Sequence, residues 1–406
     1  MSSEPLAYAL FAVYGSAAVI IVAQRVGVTL PSLISYVLAL AIAFIRYAEA
    51  GLSAPDAIYY DRMAVAISEG QSSNTVSAGK EGLAETLAVL YKVLGHDPFY
   101  GLWLNAIACA LMVAMLAAVA GRLDMPVTPT AWIAAIYPPV LFWGTFLLRE
   151  AIVWLLISLM LFAAAGIVSR AGTVAGNVIL LVLAFGALIA FRGSVAIALM
   201  AAILAAIVVA QDRNKNAGLG AYMLLIVVLG IAYMTPLADQ IEGVFGRYSF
   251  ERLEVSREAL QRTADSGFSI GAGGPILSAL TTLPRVLFGP FFWEIEIVGV
   301  PGVLEGLLWV GLLVLVARGF RRVPNPRFSS VLVLPSLTLL YVLAVTSGNY
   351  GTMVRLRTQV AIMLIPLAAA GVALARRPIH EMSRRSKRGR VASIRAYSRP
   401  DRGLSE

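Results

Sequence analysis

Apolar runs of close to 20 residues recur along almost the whole chain, separated by short polar stretches. A helix of about 20 residues crosses about 30 Å of hydrocarbon. In lipid, backbone polar groups must be paired internally, which leaves helices or a closed barrel. The runs are continuous rather than alternating, which excludes a barrel. Eleven spans are predicted, at 5–24, 29–48, 99–121, 128–145, 149–168, 174–192, 194–210, 218–237, 298–317, 328–347 and 356–375. Two pairs of spans abut with almost no loop, near 145–149 and 192–194. Residues 5–24 have the length of a signal sequence, but Glu4 precedes them and no small-residue cleavage site is clear. They read as a retained span.

Arginine and lysine set the orientation, because short cytoplasmic loops carry the excess. Residues 376–406 hold ten Arg or Lys against three acids, so they supply +7 of the net charge of +9. With this tail inside, Arg318, Arg321, Arg322 and Arg327 fall inside too. So do Arg213 with Lys215, Arg170, Arg122 and Arg25. The expected fold is an all-α polytopic transmembrane bundle over 1–375, with its N-terminus outside and a basic, disordered cytoplasmic tail over 376–406. The outer side then holds residues 49–98, the turns at Arg149–Glu150 and Arg192, the loop 238–297 and the turn 348–357. The two long loops are too polar to be spans and too long for plain connectors, which marks them for function and for interfacial helices.

Composition agrees: 59% of residues are hydrophobic and 14% charged, where a soluble domain carries about 25% charged. The mean hydropathy is +0.81. The basic tail reads as an anchor at anionic membrane lipid, not as a nucleic-acid site, because no binding motif accompanies it. The single cysteine, Cys109, permits no internal disulfide, and two histidines, His96 and His380, leave little for histidine chemistry.

In the first outer loop, Pro55-Asp56 followed by Tyr59, Tyr60, Ala64 and Ile67 predicts a short amphipathic helix. Asp56 and Tyr60 then share a face with Ala64 and Ile67. Asp56 has two readings: an ordinary helix N-cap, or a carboxylate at the water boundary able to act as general base or metal ligand. Asp61 and Glu69 read as solvated charges. Leu83, Leu87, Leu90, Tyr91 and Leu94 predict a second interfacial helix, with Lys80, Lys92 and His96 at headgroups or water.

Arg149 and Glu150 close a span almost without a loop. Adjacent helical residues point about 100° apart, so each takes a partner elsewhere, and charges at this depth face a cavity or a partner. Arg192, beside Gly193, reads equally as ligand-facing or as a snorkelling cation. Arg355 and Arg357 stand outside against the positive-inside bias. Arginine suits bidentate phosphate recognition, which makes this pair the best anion-site candidate, although within a helix the two diverge by about 200°. In the long loop, Arg247, Arg252, Arg257 and Arg262 alternate with glutamates and read as a solvated helix. Gly271–Pro275 reads as a hinge, and the aromatics of Phe288–Trp293 as an interfacial belt.

Three pieces in order carry a resemblance. They are Asp56-x-x-Tyr59-Tyr60-x-x-x-Ala64, Tyr137-Pro138 with Arg149-Glu150, and Gly348-Asn349-Tyr350-Gly351 with Arg355 and Arg357. Together they resemble the polyprenyl-phosphate-dependent GT-C membrane glycosyltransferases, and are similar to bacterial exopolysaccharide and O-antigen polymerases. The resemblance implies an enzyme of the bacterial cytoplasmic (inner) membrane, working in envelope or exopolysaccharide synthesis. Its partners would be a polyprenyl-phosphate-linked sugar and a glycan or lipid acceptor. It gives Asp56 the role of catalytic base, or of ligand to Mg or Mn if a metal is used. Arg149, Arg355 and Arg357 would hold the phosphate by that analogy; Arg192 joins them as a candidate from its own turn, with Tyr59, Tyr60, Glu150 and Asn349 in support. The chain departs from the class in placing Asp56 after the second span and in lacking an Asp-x-Asp or Asp-Glu pair. Two other classes stay open. A lipid-linked glycan transporter would place ionisable residues at the bilayer midplane, and a scaffold protein would not depend on Asp56.

Overall fold

The computed structural model describes residues 4–71, 81–211, 274–347 and 349–373. Among them the chain is all-helical, with no β-strand. The first helices are α1 (Glu4–Val26), α2 (Thr29–Ala50), α3 (Pro55–Ser68), α4 (Glu81–Leu94) and α5 (Phe99–Arg122). Next come α6 (Val127–Ile136), α7 (Pro138–Trp143), α8 (Glu150–Ser169) and α9 (Val174–Gln211). After the described gap follow α10 (Gly274–Phe288), a 3-10 turn (Phe292–Glu294), α11 (Ile295–Phe320), α12 (Ser330–Thr346) and α13 (Tyr350–Ala373).

Six of these helices are long and apolar enough to cross a membrane: Thr29–Ala50, Phe99–Arg122, Glu150–Ser169, Val174–Gln211, Gly299–Phe320 and Tyr350–Val372. Phe11–Val26, Val127–Ile136 and Ser330–Thr346 are apolar but shorter. Among the described residues the expected spans thus map onto fewer continuous helices. The span at 218–237, the arginines 247–262, the 271–273 part of the hinge and the basic tail lie outside the described residues. The span at 128–145 breaks at Tyr137, whose ψ of 114° is extended. Pro138 disfavours the helical region for the residue before it. From Gly144 to Arg149 the backbone is then non-helical.

The spans expected at 174–192 and 194–210 join in α9, which is broken at Arg192 (φ −161°, ψ 76°). Both of its arms return to the same end of the bundle. Near its start, Asn177 Oδ1 accepts from Arg122. Near its finish, the Ala206 carbonyl accepts from Ser330 Oγ. Arg122 and Phe328 line one common cavity. Arg192 is the apex at the opposite end, so the abutting pair is a helical hairpin with no loop.

At the centre stands α13, packed against α11, α12, α6, α8 and α5. Its crossing with α11 is tight. A methyl group on Gly371 would overlap the Leu315 carbonyl, and one on Gly319 would overlap that of Leu367. Small residues of this kind let helix backbones approach closely in lipid. The core around it includes Met112, Leu116, Trp154, Ile157, Leu188, Leu199 and Ile362.

The two amphipathic helices α3 and α4 pack on each other and form a separate core at the Arg192 end. Ala57, Tyr60 and Ala64 meet Leu83, Leu87, Ala88 and Tyr91, over Leu147 and Leu148. Asp61 is not a solvated charge. It accepts from Tyr91 Oη at 2.7 Å and lies 3.0 Å from His96 Nε2, which ties α3 to α4.

Candidate functional site

Four separate stretches of chain deliver charge to one place at the Arg192 end. In α3, Ala54 is the N-cap and Pro55 the first helical residue. Asp56 is therefore one position inside the helix, and its carboxylate does not cap it. Instead Asp56 Oδ2 accepts from Arg355 Nη1 at 3.0 Å. The Arg355 side chain has Nε 3.2 Å from Glu150 Oε1. The same Glu150 oxygen lies 3.3 Å from Arg192 Nη2. Arg149 donates to the Phe191 carbonyl, at the break in α9, at 2.8 Å. Residues from α3, the 144–149 segment with the start of α8, the apex of α9 and the first turns of α13 thus converge.

Burial is graded across this chain of charges. The side chain of Glu150 is 1% exposed, that of Arg192 8%, that of Arg355 17% and that of Asp56 38%. Glu150 is the buried hub, and Asp56 is the member that meets water. Glu150 Oε2 and Arg192 Nη1 are buried without a hydrogen-bond partner among the described residues. Three guanidiniums, of Arg149, Arg192 and Arg355, stand with the two carboxylates of Asp56 and Glu150 in a partly desolvated setting. Tyr60 lies against the cluster, 2% exposed. Burial pushes its phenol up to about 12, with Arg149 pulling down and Glu150 pushing up. It stays a neutral hydroxyl at physiological pH. Tyr59 packs edge-on against the Tyr60 ring.

The expected phosphate-binding set divides. Arg355 and Arg357 are both inside α13 and point apart. Arg357 does not join the cluster. It is fully buried and paired with Glu305, and it also donates to the carbonyls of Val286 and Gly289. Its guanidinium lies over the Trp309 ring. The Arg357 position therefore fixes α10 and α11 to α13. Arg192 is neither at an open turn nor snorkelling; it is buried against Glu150. Asn349 is a helix cap, since its Oδ1 accepts from the Thr352 amide at 2.8 Å.

A divalent metal does not suit this donor set. Both carboxylates are engaged by Arg355, and three guanidiniums surround them. No group of three or more His, Cys, Asp or Glu occurs among the described residues. Asp56 is accordingly not a ligand for Mg or Mn in this arrangement.

Two residues outside the expected set hold the site together. Buried irregular backbone needs partners for its polar groups, and the 144–149 segment finds them. Buried Asn105 of α5 donates to the carbonyls of Phe146 and Leu148 at 2.7 and 2.9 Å. Arg46 of α2 donates to the Phe142 carbonyl and to Thr145 Oγ1, both at 3.0 Å. Its guanidinium also lies 4.3 Å from the centres of the Phe142 and Phe146 rings. The one available signal for both was a polar side chain inside an apolar run.

No family model, curated protein or solved structure matches the chain.

Proposed function

We propose that this protein is a multi-pass membrane glycosyltransferase, or a polymerase using the same chemistry, that takes its sugar from a polyprenyl-phosphate carrier. In this reading the Asp56 cluster lies at the outer face of a bacterial cytoplasmic membrane, with the Arg122 end inside, as the arginine bias of the loops supports. The observation that carries it is the 3.0 Å pairing of Asp56 with Arg355 in a cluster that also holds Glu150, Arg192 and Arg149. Residues 299 positions apart along the chain meet at the one half-exposed carboxylate of the group.

The chemistry follows from these residues. A phosphate arriving at Arg355 competes with the Asp56 carboxylate for the same guanidinium. Once displaced, Asp56 takes the proton of an acceptor hydroxyl. The acceptor oxygen bonds to the anomeric carbon as the carbon–oxygen bond to the phosphate breaks. The charge left on the phosphate is stabilised by Arg355 and Arg149. Arg192 acts behind them by holding Glu150, which fixes Arg355. The glycan or lipid acceptor and the polyprenyl chain approach from the exposed side of Asp56.

Two substitutions test this reading. Asp56→Asn and Arg355→Lys should each leave the protein folded in detergent and reduce sugar transfer from lipid-linked donors in membranes by at least 100-fold, on the scale of losing a general base. Wild-type glycan output from either folded variant refutes it.

A further inference from the structure

The end of the bundle opposite the Asp56 cluster holds a cavity of about 750 Å³. It lies between the ends of α1, α5 and α8, the start of α6 and the residues leading into α12. Val22, Met115 and Phe328 contribute apolar wall, and Arg25, Arg122 and Asp124 are its charged lining. Volumes of this size are usual for small-molecule sites, which run from about 300 to 1,000 Å³.

Arg122 is held there with unusual care. Its Nη1 donates to the Phe162 carbonyl at 2.7 Å and to Asn177 Oδ1 at 3.0 Å. Asn177 is itself fixed, donating from Nδ2 to the Ala171 carbonyl at 2.9 Å. The guanidinium carbon sits 3.4 Å from the centre of the Phe162 ring. Gly166 makes the room: a methyl group there would overlap both Arg122 Nη1 and Asn177. An arginine that merely anchors a helix end extends to water. This one is clasped through Nη1 to the protein, while its Nη2 and Nε make no hydrogen bond among the described residues. A guanidinium fixed in this way presents a preorganised edge to a phosphate oxygen. Arg25, exposed across the cavity, likewise has no partner among the described residues. Against the single carboxylate of Asp124, the lining carries one surplus positive charge.

We propose that this cavity binds a phosphate-bearing lipid, with the phosphate on Arg122 and Arg25 and an acyl chain along Val22, Met115 and Phe328. The apolar wall favours an amphiphile over a soluble anion. The site is independent of the sugar-transfer reading, since it lies at the other end of the molecule.

The test uses the full chain in nanodiscs of phosphatidylcholine doped with phosphatidylglycerol. Native mass spectrometry reads the lipids that stay bound, and glycerol phosphate serves as the soluble competitor. Wild type should retain phosphatidylglycerol over phosphatidylcholine by tenfold or more. Arg25→Gln with Arg122→Gln should remove that preference, while Lys92→Gln, at the far end, should keep it. Arg122→Lys keeps the charge but loses the fork, and should lower the preference several-fold. If the double variant fails to fold, Arg25→Gln alone, at an exposed position, should still lower it. Equal retention of the two lipids by wild type overturns the proposal. So does an unchanged preference in the folded arginine variants. Displacement by millimolar glycerol phosphate would show a soluble-phosphate site and overturn the lipid assignment.

Discussion

At the scale of single residues, Glu150 and Asp56 are both carboxylates on Arg355, yet burial separates their consequences. Glu150 balances Arg355 and Arg192 with 1% of its side chain exposed. Removing one partner of a buried ion pair leaves the others uncompensated and costs about 3–5 kcal/mol. Glu150→Gln should therefore lower the detergent melting temperature sharply. Asp56 is 38% exposed, and half-solvated pairs contribute about 0–1 kcal/mol. Asp56→Asn should melt close to wild type. Equal melting shifts for the two variants would contradict Glu150 as the hub. The resemblance pointed to Asp56 and Arg355, and the structure pairs them. Their separation along the chain hid the pairing from any local reading. Arg357 was indistinguishable from Arg355 in sequence, and only its position on the opposite side of α13 sends it to Glu305.

Among the elements, the non-helical segment from Gly144 to Arg149 decides where the charges stand. It exists because Pro138 ends α6 early, and it persists because Asn105 satisfies the carbonyls of Phe146 and Leu148 while Arg46 holds the Thr145 hydroxyl and the Phe142 carbonyl just before it. Asn105→Leu would leave the Leu148 carbonyl buried and unpaired, at about 1–3 kcal/mol, while the Phe146 carbonyl keeps the Leu148 amide. A lower melting temperature should accompany a loss of sugar transfer larger than the unfolded fraction explains. Retained melting and retained transfer together would mean that the segment is held by other contacts. The amphipathic helices α3 and α4 were legible as periodic apolar positions, and Tyr60, Ala64, Leu83, Leu87 and Tyr91 are buried as that periodicity requires. The link through Asp61 was not legible, because a charge on a helix surface carries no record of what packs over it.

For the whole molecule, the cluster and the Arg122 end lie at opposite ends of the same helices, and the arginine distribution predicts which end is cytoplasmic. The only cysteine, Cys109, is fully buried, so an introduced cysteine can be labelled without background. Glu69→Cys, exposed beside α3, should react with a membrane-impermeant maleimide in intact cells whose outer envelope admits it. Arg321→Cys, exposed at the basic end, should react only after the membrane is opened. The reverse pattern would invert the orientation and place the Asp56 cluster inside.

The apolar runs alone determined that the chain carries helices long and apolar enough to cross a membrane, because the length of a run and the need to pair its backbone in lipid are properties of local sequence. The arginine bias gave an expectation of which helix ends share a side of the membrane. Tertiary structure alone decided that α9 folds back at Arg192 without a loop, since the break is one residue of backbone geometry. It alone decided which of two neighbouring arginines faces the cluster. Ion pairing acts over a few ångströms, and the chain separates these partners by hundreds of residues; only packing around α13 brings them within that reach.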